Sequence, residues 1–127
     1  MEIKKVVVLA LHDELESAYP ALNISVGAAS TDADVILAFS RTGVHILDRD
    51  YIPIPSKGLE YLSNALNDFG ATSISDLLTI AADIGVRFVV VDMDAKKREI
   101  DSNFPFEQVP IKWILNEAAT ADLFVHF

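Results

Sequence analysis

Apolar and polar positions divide the chain into strand-like runs and helix-like faces. Ile3 to Ala10 is almost continuously apolar and β-branched, the pattern of a central parallel strand covered on both faces. Leu15, Ala18, Tyr19, Leu22, Val26 and Ala29 then fall at helical spacing and give one apolar face. Pro20 sits inside that face. It lacks a backbone N–H, so it predicts a kink or a late helix start. Asp34 to Phe39 predicts a second strand, Ser40-Arg41-Thr42-Gly43 its exit loop, and Val44 to Leu47 the start of a short helix. Asp48 to Gly58, with Pro53 and Pro55, reads as an irregular excursion. Leu59, Leu62, Leu66 and Phe69 return to helical spacing, with Gly70 as the stop.

Ser73-Ile74-Ser75-Asp76 resembles a capping box opening a helix from Ile74 to Ile84, which Gly85 ends. Val86 to Asp92 is the third strand, a buried run that leads straight into an acidic tip at Asp92-Met93-Asp94. Ala95 to Pro110 is polar and irregular. Ile111, Ile114, Leu115 and Ala118 predict the last helix, and Asp122 to Phe127 the last strand. Strand-helix alternation of this kind predicts a three-layer α/β/α fold with a mainly parallel sheet of four or five strands. Val6 to Leu9, Val35 to Ala38 and Phe88 to Val91 should lie at its buried centre.

The chain has 127 residues, which fits a single domain over 1–127. Half of the residues are apolar and mean hydropathy is +0.32. That excess predicts a sheet covered on both faces and further apolar surface buried between subunits. No apolar run approaches the ~18 residues of a membrane span, so no membrane partner is expected. The run Val6-Val7-Val8-Leu9-Ala10 leads into His12-Asp13-Glu14 without a small-residue cleavage site, so it reads as a first strand rather than a signal peptide. The expected compartment is the cytoplasm. A net charge of -9 repels phosphate backbones, and nucleic acid is not expected as a partner. The absence of cysteine excludes disulfides, thiol catalysis, iron-sulfur clusters and thiolate metal sites.

With its elements placed, the chain resembles the DsrE/DsrF-like family of small sulfur-relay proteins. The resemblance spans nearly the whole length. It rests on Val6-Val7-Val8-Leu9, the alanine-rich helix through Ala28-Ala29, Asp34-Val35-Ile36-Leu37-Ala38-Phe39 and Gly43-Val44. It continues through Ile74-Ser75-Asp76-Leu77-Leu78, Ala82, Gly85-Val86, Ala119 and Ala121-Asp122-Leu123-Phe124-Val125. It implies the three-layer domain and assembly as an oligomer, here a homo-oligomer, trimer or hexamer. It also implies cysteine-containing sulfur-relay proteins as partners. Active members carry a persulfide on a cysteine at the tip of the third strand. That position falls at about Val91 here, with Met93 matching a frequent neighbour. Valine cannot carry sulfur, so persulfide transfer by this chain is not expected, and no cofactor is implied.

Three strand exits should converge on one edge of the sheet, where open α/β sheets bind ligands. They are His12-Asp13-Glu14, Arg41-Thr42-Gly43 and Asp92-Met93-Asp94. His12 with Asp92 or Asp94 could form an acid-base pair or part of a hard-metal site. The plainer alternative is solvated loop residues, with the acids favouring helix N-termini. Arg41, beside Thr42 and Gly43 at a possible helix start, could hold an anion, or pair on the surface with Asp13 or Asp92. Lys96-Lys97-Arg98 could grip an acidic neighbour or be a solvated loop. Asn23-Ile24-Ser25 matches a glycosylation sequon but falls within a predicted helix. His45 stands apart from any ligand-like spacing. His126, on the last strand, is placed to pack or pair at an interface. Trp113, Phe104 and Phe106 fit core or interface packing better than a stacking site. Three function readings remain open: a non-catalytic oligomeric scaffold, partner subunit or small-ligand binder, an enzyme or metal-binding protein using the strand-tip edge, and a structural remnant whose apolar surface serves assembly only.

Overall fold

A computed structural model describes residues 2–92 and 99–127. Its sheet has five strands, all parallel, in the order β4-β3-β2-β1-β5. The strands are β1 (Lys5–Ala10), β2 (Asp34–Phe39), β3 (Arg87–Val91), β4 (Glu107–Val109) and β5 (Leu123–His126). The helices are α1 (Leu15–Ala29), α2 (Tyr61–Asp68), α3 (Ile74–Asp83) and α4 (Ile111–Ala119), with a 3-10 helix over Arg41–Leu47. Among the described residues no helix is long and apolar enough to cross a membrane.

The central strands are apolar without alternation because both faces are covered. Val6, Val8, Val35, Leu37, Phe88 and Val90 point to one face and pack with Leu15, Ala18 and Leu22 of α1 and Leu77, Leu78 and Ala81 of α3. Val7, Ile36, Ala38, Val89 and Val91 point to the other and pack with Ile114 of α4. Three layers result. Leu9 is half-buried, and the rest of the three expected central runs is buried. The aromatic residues near the chain end separate between the layers. Phe104 meets Phe88 edge-on at 5.8 Å on the first face. Trp113 belongs to the second, where its ring lies 5.0 Å from the Arg87 guanidinium carbon.

The helix starts follow local chemistry. The Ser73 hydroxyl accepts the Asp76 N–H at 3.1 Å and caps α3. α1 begins at Leu15 and continues through Pro20, so the proline does not delay the start. The sequon serine, Ser25, is buried within α1 and donates its hydroxyl to the Ala21 carbonyl at 2.7 Å. Two boundaries differ from expectation. The exit loop after β2 is already helical from Arg41, in the tighter 3-10 form. The stretch expected to be irregular up to Pro110 contains β4. That strand is three residues long with Val109 as its buried position, too short for a period to declare it, and it pairs in register with Val89, Val90 and Val91.

Candidate functional site

The C-terminal ends of β3, β2 and β1 lie side by side. Backbone contact joins the first two exits. The Ser40 N–H donates to the Ala10 carbonyl at 3.0 Å. Arg41 takes a left-handed conformation, with φ at 55°, and turns the chain into the 3-10 helix. Gly43 then presses on the end of β1, where a Cβ would stand 2.1 Å from the Ala10 oxygen. Glycine is required there by close approach, since no side chain fits. The Thr42 hydroxyl donates to the Leu11 carbonyl at 3.4 Å.

The other expected residues are placed less tightly. His12 is exposed just beyond β1, and Arg41 is exposed beside it in sequence order on the next strand exit. No ion pair joins Arg41 to Asp13 or Asp92 among the described residues. Asp92 is half-buried directly after β3, and Val91 is buried at its last position. Met93, Asp94 and Lys96-Lys97-Arg98 lie outside the described residues. Among those described, no group of three or more histidine and acidic side chains could hold a metal ion.

A different histidine finds an aspartate. His45 Nδ1 lies 2.6 Å from Asp13 Oδ2. The 3-10 helix carries His45 over the end of β1, because Gly43 lets the two backbones meet. The Tyr51 hydroxyl donates to the Asp13 carbonyl at 2.5 Å and fixes the same turn. Burial, and then the charges of Asp13, Glu14 and Glu16, raise the Tyr51 phenol above its ordinary value, so it remains a donor. His45 and Asp13 line an open cleft of about 560 Å³ with Arg49, Tyr51, Ile52 and Asp101. An imidazole held through Nδ1 by a carboxylate has its tautomer and orientation set, and its other nitrogen can accept or donate a proton. Sequence spacing gave no sign of this pair, since 32 residues separate its members.

The irregular excursion after the 3-10 helix is strapped to the start of α1. The Leu15 N–H donates to the Ile54 carbonyl at 3.0 Å. The Ser56 N–H donates to Glu16 Oε1 at 3.0 Å and its hydroxyl donates to Glu16 Oε2. Burial, the largest single influence, would raise the Glu16 carboxyl, but the two Ser56 hydrogen bonds and one from the Glu16 backbone together outweigh it and hold the group below its ordinary value. The strap forms the wall of the cleft through Tyr51, Ile52 and Ile54.

No protein-family model matches the chain, and no curated protein matches it. Among solved structures, the ychN protein from E. coli superposes with a TM-score of 0.68 at 18% sequence identity, covering 99% of this chain and 100% of that one. The five-stranded parallel sheet between helices is thus a three-layer α/β/α fold shared with that structure.

Proposed function

We propose that the chain is a non-catalytic, oligomeric protein related to the sulfur-relay proteins, acting in the cytoplasm as a scaffold, partner subunit or small-ligand binder. The observation that carries this reading is the residue at the tip of β3. The resemblance places the sulfur-carrying cysteine at Val91, and the chain has no cysteine at any position. A persulfide needs a thiolate nucleophile, so the fold is retained here without that chemistry. Cysteine-containing sulfur-relay proteins are the partners this reading supplies. Association as a trimer or hexamer of identical chains would bury the apolar side chains that the monomer exposes on α4 and β5. Incubation with a persulfide donor, followed by intact-mass measurement, tests the chemical half. An unchanged mass supports the reading, and a stable sulfur adduct refutes it.

The Asp13–His45 contact favours a second reading, an enzyme or metal-binding protein working at the strand-tip edge with His12, Arg41, Asp92 and Asp94. A cation would use the carboxylates, and an anion Arg41 and the adjacent helix start. Metal analysis of the purified protein, and ligand affinity after Arg41→Ala or the double change Asp92→Asn and Asp94→Asn, separate these cases.

A further inference from the structure

The three histidines of the chain differ in one respect. His12 and His126 are exposed, and neither has a carboxylate partner among the described residues. His45 Nδ1 lies 2.6 Å from Asp13 Oδ2. An ionised carboxylate can only accept, so in the neutral ring the proton sits on Nδ1 and the lone pair on Nε2. Asp13 is itself held, because its carbonyl accepts the Tyr51 hydroxyl at 2.5 Å. Nε2 stands across the ring from Asp13 and bonds no described residue. His45 lines the open cleft, so a lone pair of fixed tautomer borders a space that a small molecule can enter.

We propose that His45 is a nucleophile that takes acyl groups on Nε2 from activated acyl compounds without negative charge, such as aryl esters, with Asp13 as its positioning residue. The inference rests on the second reading above and moves its chemistry from His12 to His45. In the first step the Nε2 lone pair bonds the acyl carbon. The bond from that carbon to the leaving oxygen breaks, and the leaving group departs with the electron pair. The Nδ1 proton stays hydrogen-bonded to Asp13. Water then attacks the acyl-imidazole, the carbon–nitrogen bond breaks, and its electron pair returns to Nε2. The proton given up by water passes to the leaving group. The products are a carboxylic acid and an alcohol, and no oxidant or reductant is consumed.

The walls of the cleft choose the substrate class. Its volume of about 560 Å³ lies among those of small-molecule sites, roughly 300–1,000 Å³. One wall is apolar and turned to solvent, with Ile52 71% exposed and Ile54 65% exposed, and it suits the hydrocarbon part of an acyl group. The rim carries Asp48, Asp50, Glu99 and Asp101. Its guanidinium, from Arg49, already donates to Asp101 at 3.3 Å. A phosphate or a carboxylate-bearing ester therefore meets repulsion at the rim, and an uncharged ester does not.

Asp13 separates His45 from the other two histidines in reactivity as well as in geometry. Attack by Nε2 leaves positive charge on the ring. The Asp13 carboxylate lies against that charge as it develops, and its hydrogen bond strengthens in the transition state. His12 and His126 form the same charge facing water alone. They are the more exposed rings, so accessibility and activation predict opposite orders of reaction within one chain.

Diethyl pyrocarbonate, an uncharged activated acyl compound whose histidine adduct survives peptide mapping, tests this on the unaltered protein in mildly alkaline solution. His45 should be modified on the order of ten-fold faster than His12 or His126, the factor given by one charge-assisted hydrogen bond gained in the transition state. Labelling of His45 no faster than of the other two overturns the assignment. His45→Gln should lower nitrophenol release from p-nitrophenyl acetate by the same factor, while His126→Gln leaves it unchanged. Equal release by a folded His45→Gln also overturns it, and if that variant does not fold, the labelling order decides alone. The succinate half-ester of p-nitrophenol should react more slowly than the acetate, with the gap narrowing as salt is added; equal rates would show the substrate class to be wrong. For Asp13, nitrogen-15 spectra should place the ring proton on Nδ1 in the parent. Asp13→Asn should lose that preference and label at the rate of His12, and an unchanged rate would remove Asp13 from its role. Failure of these tests leaves metal analysis and Arg41→Ala to decide the second reading separately.

Discussion

Gly43 lies against the Ala10 carbonyl so closely that a Cβ would stand 2.1 Å from its oxygen. This contact holds the exits of β1 and β2 together and sets His45 over Asp13. Because the obstacle is backbone rather than a movable side chain, Gly43→Ala should destabilise the fold by about 1–3 kcal/mol, the usual cost of overpacking. Urea denaturation measures it. A change within error would mean that the 3-10 helix can lift away freely.

The fold was legible where burial is two-sided. The continuous apolar runs of β1, β2 and β3 read directly as central parallel strands, and Ser73 read as a helix cap. β4 was not legible, because one buried valine in three residues carries no period. At the strand tips, Arg41, Thr42 and Gly43 were grouped as an exit loop, but they open the 3-10 helix, and Gly43 serves close approach of backbone to Ala10. His45 was passed over because only the folded chain brings it to Asp13, across 32 positions. The distance between those residues depends on the turn made by Arg41 and Gly43, which no spacing rule encodes.

The Tyr51 hydroxyl steadies the Asp13 turn from above. Tyr51→Phe removes this donor and retains the ring, so stability should fall by about 1 kcal/mol. Thermal melting of the variant beside the parent checks the value. An unchanged melting temperature would show that the hydroxyl bond contributes nothing net.

The strap makes stability depend on acid. The Glu16 carboxyl is held below its ordinary value of 4.5 because the Ser56 hydrogen bonds, with one from its own backbone, outweigh its burial. A lowered folded-state value means that its contribution is fully present above the unfolded value and is lost as pH falls through the folded one. Ser56→Ala should therefore cost stability at neutral pH and narrow the gap from the parent as pH drops below 4.5. Chemical denaturation at neutral and acid pH measures both. A gap that stays constant with pH would contradict this coupling.

The tip of β3 tests the sulfur argument from the other side. Val91 is buried, and Val91→Cys is close to volume-conserving, so it should cost less than about 1.5 kcal/mol. The parent should show no mass increase with a persulfide donor, while the variant gains the nucleophile the reaction needs. Modification of the parent would refute the non-catalytic reading. A variant that folds and stays unmodified would show that Val91 is not the equivalent position.

Self-association of chains that each carry a charge of -9 must overcome repulsion, so added salt should strengthen it by screening. The most direct measurement of the whole account is the solution mass of the unmodified protein by light scattering at micromolar concentration. The account predicts a multiple of the 13.9 kDa chain mass, with the larger species favoured as salt rises. A mass of 13.9 kDa at every salt concentration would contradict it.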